Sequence, residues 1–198
     1  VVEDPDTKRS HQLWRLSLGG DADVLVTEEA DEAFSLSISR TRSREWLVLQ
    51  RGSHTTSDAE VLPAREPTGA WRPLLPRVAE VEYDVEHHGN DFYLRINDTG
   101  RNFRLVRSPM HDVRTETLVE VIPHRHAVML EGHDCFAEHL VTSEREGGVT
   151  QLAVHRLRDG AQHRIAFPEP VFEAYVHANP EWKLTRVRVG YQSLVTPA

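Results

Sequence analysis

Apolar and polar residues alternate along many short stretches of the chain. Phe34, Leu36 and Ile38 alternate with Ser35, Ser37 and Ser39, and Phe92, Leu94 and Ile96 with Tyr93 and Arg95. The same pattern returns where Phe103 and Leu105 flank Arg104, and where Val187, Val189 and Tyr191 flank Arg188 and Gly190. Successive side chains of a strand point to opposite faces, so a period of two over a short run predicts a half-buried strand. No stretch keeps an i, i+3, i+4, i+7 stripe through three helical turns. The runs are separated by turn clusters such as Asn97-Asp98-Thr99-Gly100, Glu146-Gly147-Gly148 and Arg158-Asp159-Gly160. The pattern predicts an all-β chain.

The strands also recur. Runs beginning at Leu47, Tyr93, Leu140 and Val187 are separated by 46, 47 and 47 residues. Apolar runs ending in Pro76, Pro123 and Pro168 keep nearly the same step, and each is followed by another strand pattern. Proline suits a strand end, where no ladder donor is needed. A repeat of about 40–50 residues with four strands is the mark of a β-propeller blade. The expected layout is a half blade over 11–27, whole blades over 34–75, 81–122 and 127–167, and a half blade over 171–191. In the first half blade the strands are expected at 11–18 and 23–27, and in the last at 171–177 and 184–191.

Composition narrows the function classes. The 23 Lys+Arg against 31 Asp+Glu leave a net charge of −8, against a general nucleic-acid binder, which needs clustered Lys and Arg. Only Lys8 and Lys183 are lysines, which reads as a genome-composition effect. One cysteine, Cys135, excludes an intramolecular disulfide framework and any multi-cysteine zinc site. No run approaches the roughly 18 apolar residues of a membrane helix, and the acidic start 1–6 does not resemble a signal peptide. A cytoplasmic protein is expected. The chain does not begin with Met, so the natural protein is expected to be longer.

Three candidate chemistries stand against plainer readings. His124, His126, His133, Asp134 and Cys135 crowd together and His87-His88 form a pair, but a zinc-binding spacing is missing; the plainer reading is exposed loop histidines near turns, with no cofactor and no metal. Arg51-Gly52-Ser53-His54 is the nearest approach to a serine-nucleophile elbow, yet it joins two strand patterns and lacks the G-x-S-x-G form. Cys135 reads as packing. The carboxylate pairs Glu28-Glu29, Asp31-Glu32 and Glu144 with Glu146 have the residue types of a glycosidase, but they read as solvated turn residues. The remaining candidates are polar residues at blade turns: Asn97, Asp98, Arg101, Asn102, Glu131, Glu144 and Arg145. Loops on propeller faces carry contacts, whereas Asn and Asp also cap their own turns, and both readings stay open. No catalytic residue is assigned.

Several ordered stretches resemble a known family. They are Asp23-Val24-Leu25-Val26-Thr27-Glu28-Glu29, Asn102-Phe103-Arg104-Leu105, Ile122-Pro123-His124-Arg125, Met129-Leu130-Glu131-Gly132, Leu140-Val141-Thr142-Ser143-Glu144-Arg145 and Tyr191-Gln192-Ser193-Leu194-Val195-Thr196-Pro197. Together they resemble the propeller of the oligopeptidase B group within the prolyl oligopeptidase family of serine peptidases. The resemblance implies a two-domain enzyme, in which a seven-bladed propeller covers an α/β-hydrolase domain carrying a Ser-Asp-His triad. It implies that the propeller admits peptides and excludes folded proteins, and that cleavage follows Arg or Lys. This chain then corresponds to the C-terminal half of the propeller, with the triad outside it. Its partners are the hydrolase domain and peptide substrates. Arg101, Asn102, Glu131, Glu144 and Arg145 are the candidates for gating or interdomain contact. His126 and His133 have no counterpart in the family pattern. Open blade edges allow closure into a four-bladed ring or a homodimer. A stand-alone propeller binding module for proteins or glycans is the alternative from another class, and a β-rich glycosidase is a third.

Overall fold

The computed structural model describes residues 1–20 and 22–196. Asp21, Pro197 and Ala198 lie outside the described residues, and with them the end of the family-like stretch 191–197.

Among the described residues, seventeen strands form five antiparallel sheets. The first contains β1 (Val2–Glu3), β2 (Ser10–Arg15) and β3 (Val24–Glu28). The second contains β4 (Ser35–Arg40), β5 (Trp46–Gly52), β6 (Ser57–Pro63) and β7 (Arg72–Pro73). The third contains β8 (Tyr83–His88), β9 (Asp91–Ile96), β10 (Arg104–Pro109) and β11 (Val119–Ile122). The fourth contains β12 (Val128–Cys135), β13 (His139–Glu146), β14 (Val149–Arg156) and β15 (Gln162–Arg164). The fifth pairs β16 (Phe172–Val176) with β17 (Val189–Ser193). Strand order within every sheet is sequence order. The repeating four-stranded meander is that of propeller blades.

Turn chemistry sets the registers. β13 and β14 pair without a break from His139 opposite Arg156 to Glu146 opposite Val149. The two residues between them, Gly147 and Gly148, have φ of 59° and 85°. A two-residue hairpin of this kind needs positive φ at both positions. The three expected prolines, Pro76, Pro123 and Pro168, all fall in the links that leave a finished sheet.

Two boundaries differ from the periodicity. The first sheet gains β1, whose Val2 pairs with Gln12 and Glu3 with Ser10; two residues are too few to leave a periodic trace. The last strand starts at Val189 rather than 184. Leu184 and Val187 instead line a pocket with Phe136, just past β12, and with Val141 and Val154 of the fourth sheet.

The chain falls into two compact units, Val1–Thr41 with Glu45–Asp84, and Arg42–Arg44 with Val85–Ala198. In the first unit, Leu13, Leu36 and Leu49 are buried together, with Val26 and Trp71 against them. In the second, Tyr93, Leu105, Ile122, Leu130, Cys135 and Leu140 form the core. Each cluster joins side chains from neighbouring sheets, so the inward residues of one sheet cover those of the next. Burying an aliphatic side chain contributes about 1.5–3 kcal/mol, and this face-to-face burial holds each unit together. Among the described residues no helix is long and apolar enough to cross a membrane.

Candidate functional site

The turn between β9 and β10 is held from two directions. Asn102 donates through Nδ2 to the carbonyl oxygens of Arg125 and His126, at 2.8 and 2.9 Å, and its own carbonyl accepts from the Leu130 N–H. It therefore ties the third sheet to the segment entering the fourth. The next residue, Phe103, has φ of 58°, a conformation few side chains adopt. The Arg95 guanidinium lies 4.0 Å from its ring centroid and also donates to the Leu130 carbonyl. Nearby, the His124 ring presses against Gly100: a Cβ there would come within 2.4 Å of the imidazole.

Arg125 carries the connection inward. Its guanidinium donates to the Glu144 carboxylate at 2.6 Å. Glu144 is in β13 and its side chain is only 3% exposed. Thr142 donates to the same carboxylate, and Arg164 approaches its other oxygen at 3.5 Å. Thr142 also meets the His155 Nε2 at 3.1 Å. Burial pushes the His155 imidazole below its ordinary pKa, against the pull of Glu144, while the positive charges of Arg125 and His163 reinforce the depression. Glu131 and Arg145 form a two-pronged pair at 2.6 and 3.2 Å across β12 and β13. Arg101 is exposed on its turn. Among the five candidates, the structure thus links Asn102 to Glu144 through Arg125, pairs Glu131 with Arg145, and leaves Arg101 apart from both groups.

The Glu144 array lines a cleft of about 1010 Å³ between the third and fourth sheets. One wall is β11 and the other is made from β14 and β15.

Some expectations are overturned. Glu144 is not a solvated turn carboxylate but a buried strand residue, because two arginines and a threonine replace its water. Glu29 is likewise buried. Burial raises its pKa, but hydrogen bonds from Arg77 and the Asp31 N–H outweigh this and hold it below the usual carboxylate range. His133 and His87 are not exposed loop histidines: both are buried, in β12 and β8. His87 meets the Ser43 hydroxyl at 2.9 Å, and His133 the Tyr93 carbonyl at 3.2 Å. Cys135 is 1% exposed, and burial raises its thiol pKa well above the ordinary value. Among the described residues no group of three or more His, Cys, Asp and Glu is placed to hold a metal ion.

Composition gave no sign of two further constellations, both in the first unit. Arg77 pairs with Glu29 at 2.6 Å and with Asp58, and its guanidinium lies 3.8 Å from the Phe34 ring centroid. Arg51 pairs with Asp58 at 3.1 Å and Glu60 at 3.4 Å. The Tyr83 hydroxyl accepts from the Ala59 and Leu75 N–H groups and donates to the Leu75 carbonyl. The usable signal was pairing across a strand: Arg51 stands opposite Asp58 in the β5–β6 register.

The four-stranded antiparallel meanders define a β-propeller domain. Residues 2–198 match the family model described as prolyl oligopeptidase, N-terminal beta-propeller domain. The chain belongs to this family. It is 31% identical over 192 residues to Protease 2 of Moraxella lacunata, covering 96% of this chain and 27% of that protein. It is also 31% identical over 201 residues to dipeptidyl aminopeptidase BI of Pseudoxanthomonas mexicana, covering 100% of this chain and 28% of the relative. Among solved structures it is similar to oligopeptidase B from Trypanosoma brucei with covalently bound antipain, in its closed form. The TM-score is 0.89 and the identity 27%, over 98% of this chain and 29% of that one. The chain therefore spans less than a third of the length of these relatives.

Proposed function

We propose that this chain is the non-catalytic propeller segment of a serine oligopeptidase, gating peptide access to a separate α/β-hydrolase domain in a parent that cleaves after Arg or Lys. The observation that carries this reading is the match of nearly the whole chain to a peptidase propeller, together with its similarity to an oligopeptidase B. The physical logic is size exclusion: rigid sheets admit an extended peptide and refuse a globule. The −8 charge suits the role, since an acidic field speeds encounter with basic peptides. Within it, the exposed Arg101 and the Glu131–Arg145 pair are the contacts offered to the hydrolase domain, while Asn102 and Glu144 brace the scaffold behind them.

The relative named dipeptidyl aminopeptidase BI favours a second reading, in which the parent removes dipeptides from free amino termini. One assay of the full-length protein separates the two. Peptides ending in Arg or Lys before a chromogenic group are supplied with free and with blocked amino termini, beside a folded protein of the same composition. The proposal expects cleavage of both peptide forms and none of the folded protein. Cleavage of the free-amine form alone selects the second reading, and cleavage of the folded protein overturns the gating role. The isolated chain is expected to hydrolyse none of them.

A further inference from the structure

The cleft between the third and fourth sheets has features that scaffolding alone does not require. β11 is the outermost strand of its sheet and β15 the outermost of its own. Both strands line the same gap, β11 along its whole length. An outer strand presents a row of N–H and C=O groups ready to pair with another extended chain. β11 also leaves an apolar side chain outside, Val119 being 51% exposed. Its four residues offer about 13 Å of ladder at ~3.3 Å per residue.

The charges in the cleft point to the kind of chain that fits. Four arginines line it (Arg107, Arg125, Arg156 and Arg164) against two glutamates, Glu120 and Glu144. Glu144 is buried and engaged by Arg125, as described above. The other three arginines are 41–47% exposed and lie in surface pairs with Asp91, Asp159 and Glu146. Such half-exposed pairs are weak, because solvent screens them. Arg164 also reaches the buried Glu144 at 3.5 Å, and a guanidinium carries five N–H donors, so each of the three can keep the carboxylates it holds and receive a further one. Glu120 is half exposed and pairs with Arg104 at 3.5 Å. Val121, Ile122 and Leu157 supply an apolar floor between the charges.

We propose that this cleft docks an extended acidic peptide, which adds a strand along β11 and sets its carboxylates against Arg107, Arg156 and Arg164. The alternation of a strand places every second side chain on the apolar floor and the others toward the arginines. This site goes beyond the gating role and stands on the geometry of the cleft itself.

The test is a fluorescence-anisotropy titration of the chain, at low salt, with a labelled hexapeptide of alternating Val and Glu. Saturable binding is expected. It is expected to weaken by about tenfold or more, equivalent to about 1.4 kcal/mol, when R107Q, R156Q and R164Q are combined. A similar loss is expected with wild-type protein when alternate amides of the peptide are N-methylated, which removes ladder donors without touching the fold. A Val-Lys peptide is expected not to bind. Equal binding of the N-methylated peptide, or displacement of the acidic peptide by glutarate, would make this a small-anion site and overturn strand addition. Equal binding of the Val-Lys peptide, or no saturable binding at all, overturns the proposal outright.

Discussion

Two residues show how polar groups are made to fit inside these sheets. Tyr83 places one hydroxyl among three backbone groups of its own unit, at 2.8 to 3.3 Å. Replacing it with Phe keeps the ring and strands the N–H groups of Ala59 and Leu75. A buried unsatisfied donor costs about 1–3 kcal/mol, so Tyr83→Phe should lower stability by about 2–4 kcal/mol in urea unfolding at neutral pH. Burial also pushes the Tyr83 pKa up to about 12. The unfolded phenol titrates near pH 10, so the stability linked to its neutral form is whole below about pH 10 and is lost as pH rises through about 12. The difference between wild type and Tyr83→Phe should therefore narrow across that window. A difference that stays constant would show that Tyr83 is more exposed than described. Glu144 illustrates why such sites were hard to read in advance. Its partners, Arg125 and Arg164, lie 19 and 20 residues away, and a carboxylate without known partners reads as solvated.

At the scale of elements, the sequence was most legible where alternation was long. Leu36 is buried at 3% exposure and Ile38 of the same run is 41% exposed, so the period gave the strand but not how far its covered face extends. β1 and β7, two residues each, left no pattern. The loop between β16 and β17 was also invisible, because a single side chain shapes it. Asn179 is buried; its Nδ2 donates to the carbonyls of His177 and Arg188, and its Oδ1 accepts from the Arg188 N–H. Asn179→Asp replaces both donated bonds with a carboxylate facing two carbonyl oxygens. Hydrogen exchange should then show loss of protection over Phe172–Val176 and Val189–Ser193, with β12 to β14 unchanged. Unaltered protection in the fifth sheet would mean that Asn179 does not hold the loop.

At the scale of the whole molecule, the five sheets are not equivalent. Three have four strands, the first has three and the fifth has two. The first sheet leaves Val24 and Leu25 of β3 exposed at 44% and 42%, and the fifth sheet leaves Tyr175 of β16 exposed at 42%. Apolar side chains on incomplete sheets favour association. We expect the solution mass of this chain, measured by light scattering, to rise with concentration, and the rise to be suppressed by Val24→Lys with Leu25→Lys. A mass that stays monomeric at every concentration would rule the association out. The repeat of about 47 residues told where each sheet stands in the chain, but not which sheets remain open, because openness depends on pairing rather than on period.

The unbroken sequence order of strands within every sheet has a consequence for how the protein is made. Among the described residues, none of the three four-stranded sheets takes a strand from outside its own stretch of chain, so each of these meanders can close as soon as its last strand leaves the ribosome. Local pairings of this kind close short loops at low entropic cost and form quickly. The β4–β7, β8–β11 and β12–β15 meanders can therefore mature one after another during synthesis. Within each unit, a finished sheet then presents its neighbour-facing residues as a template for the next, which limits the time any strand spends exposed to the wrong partner.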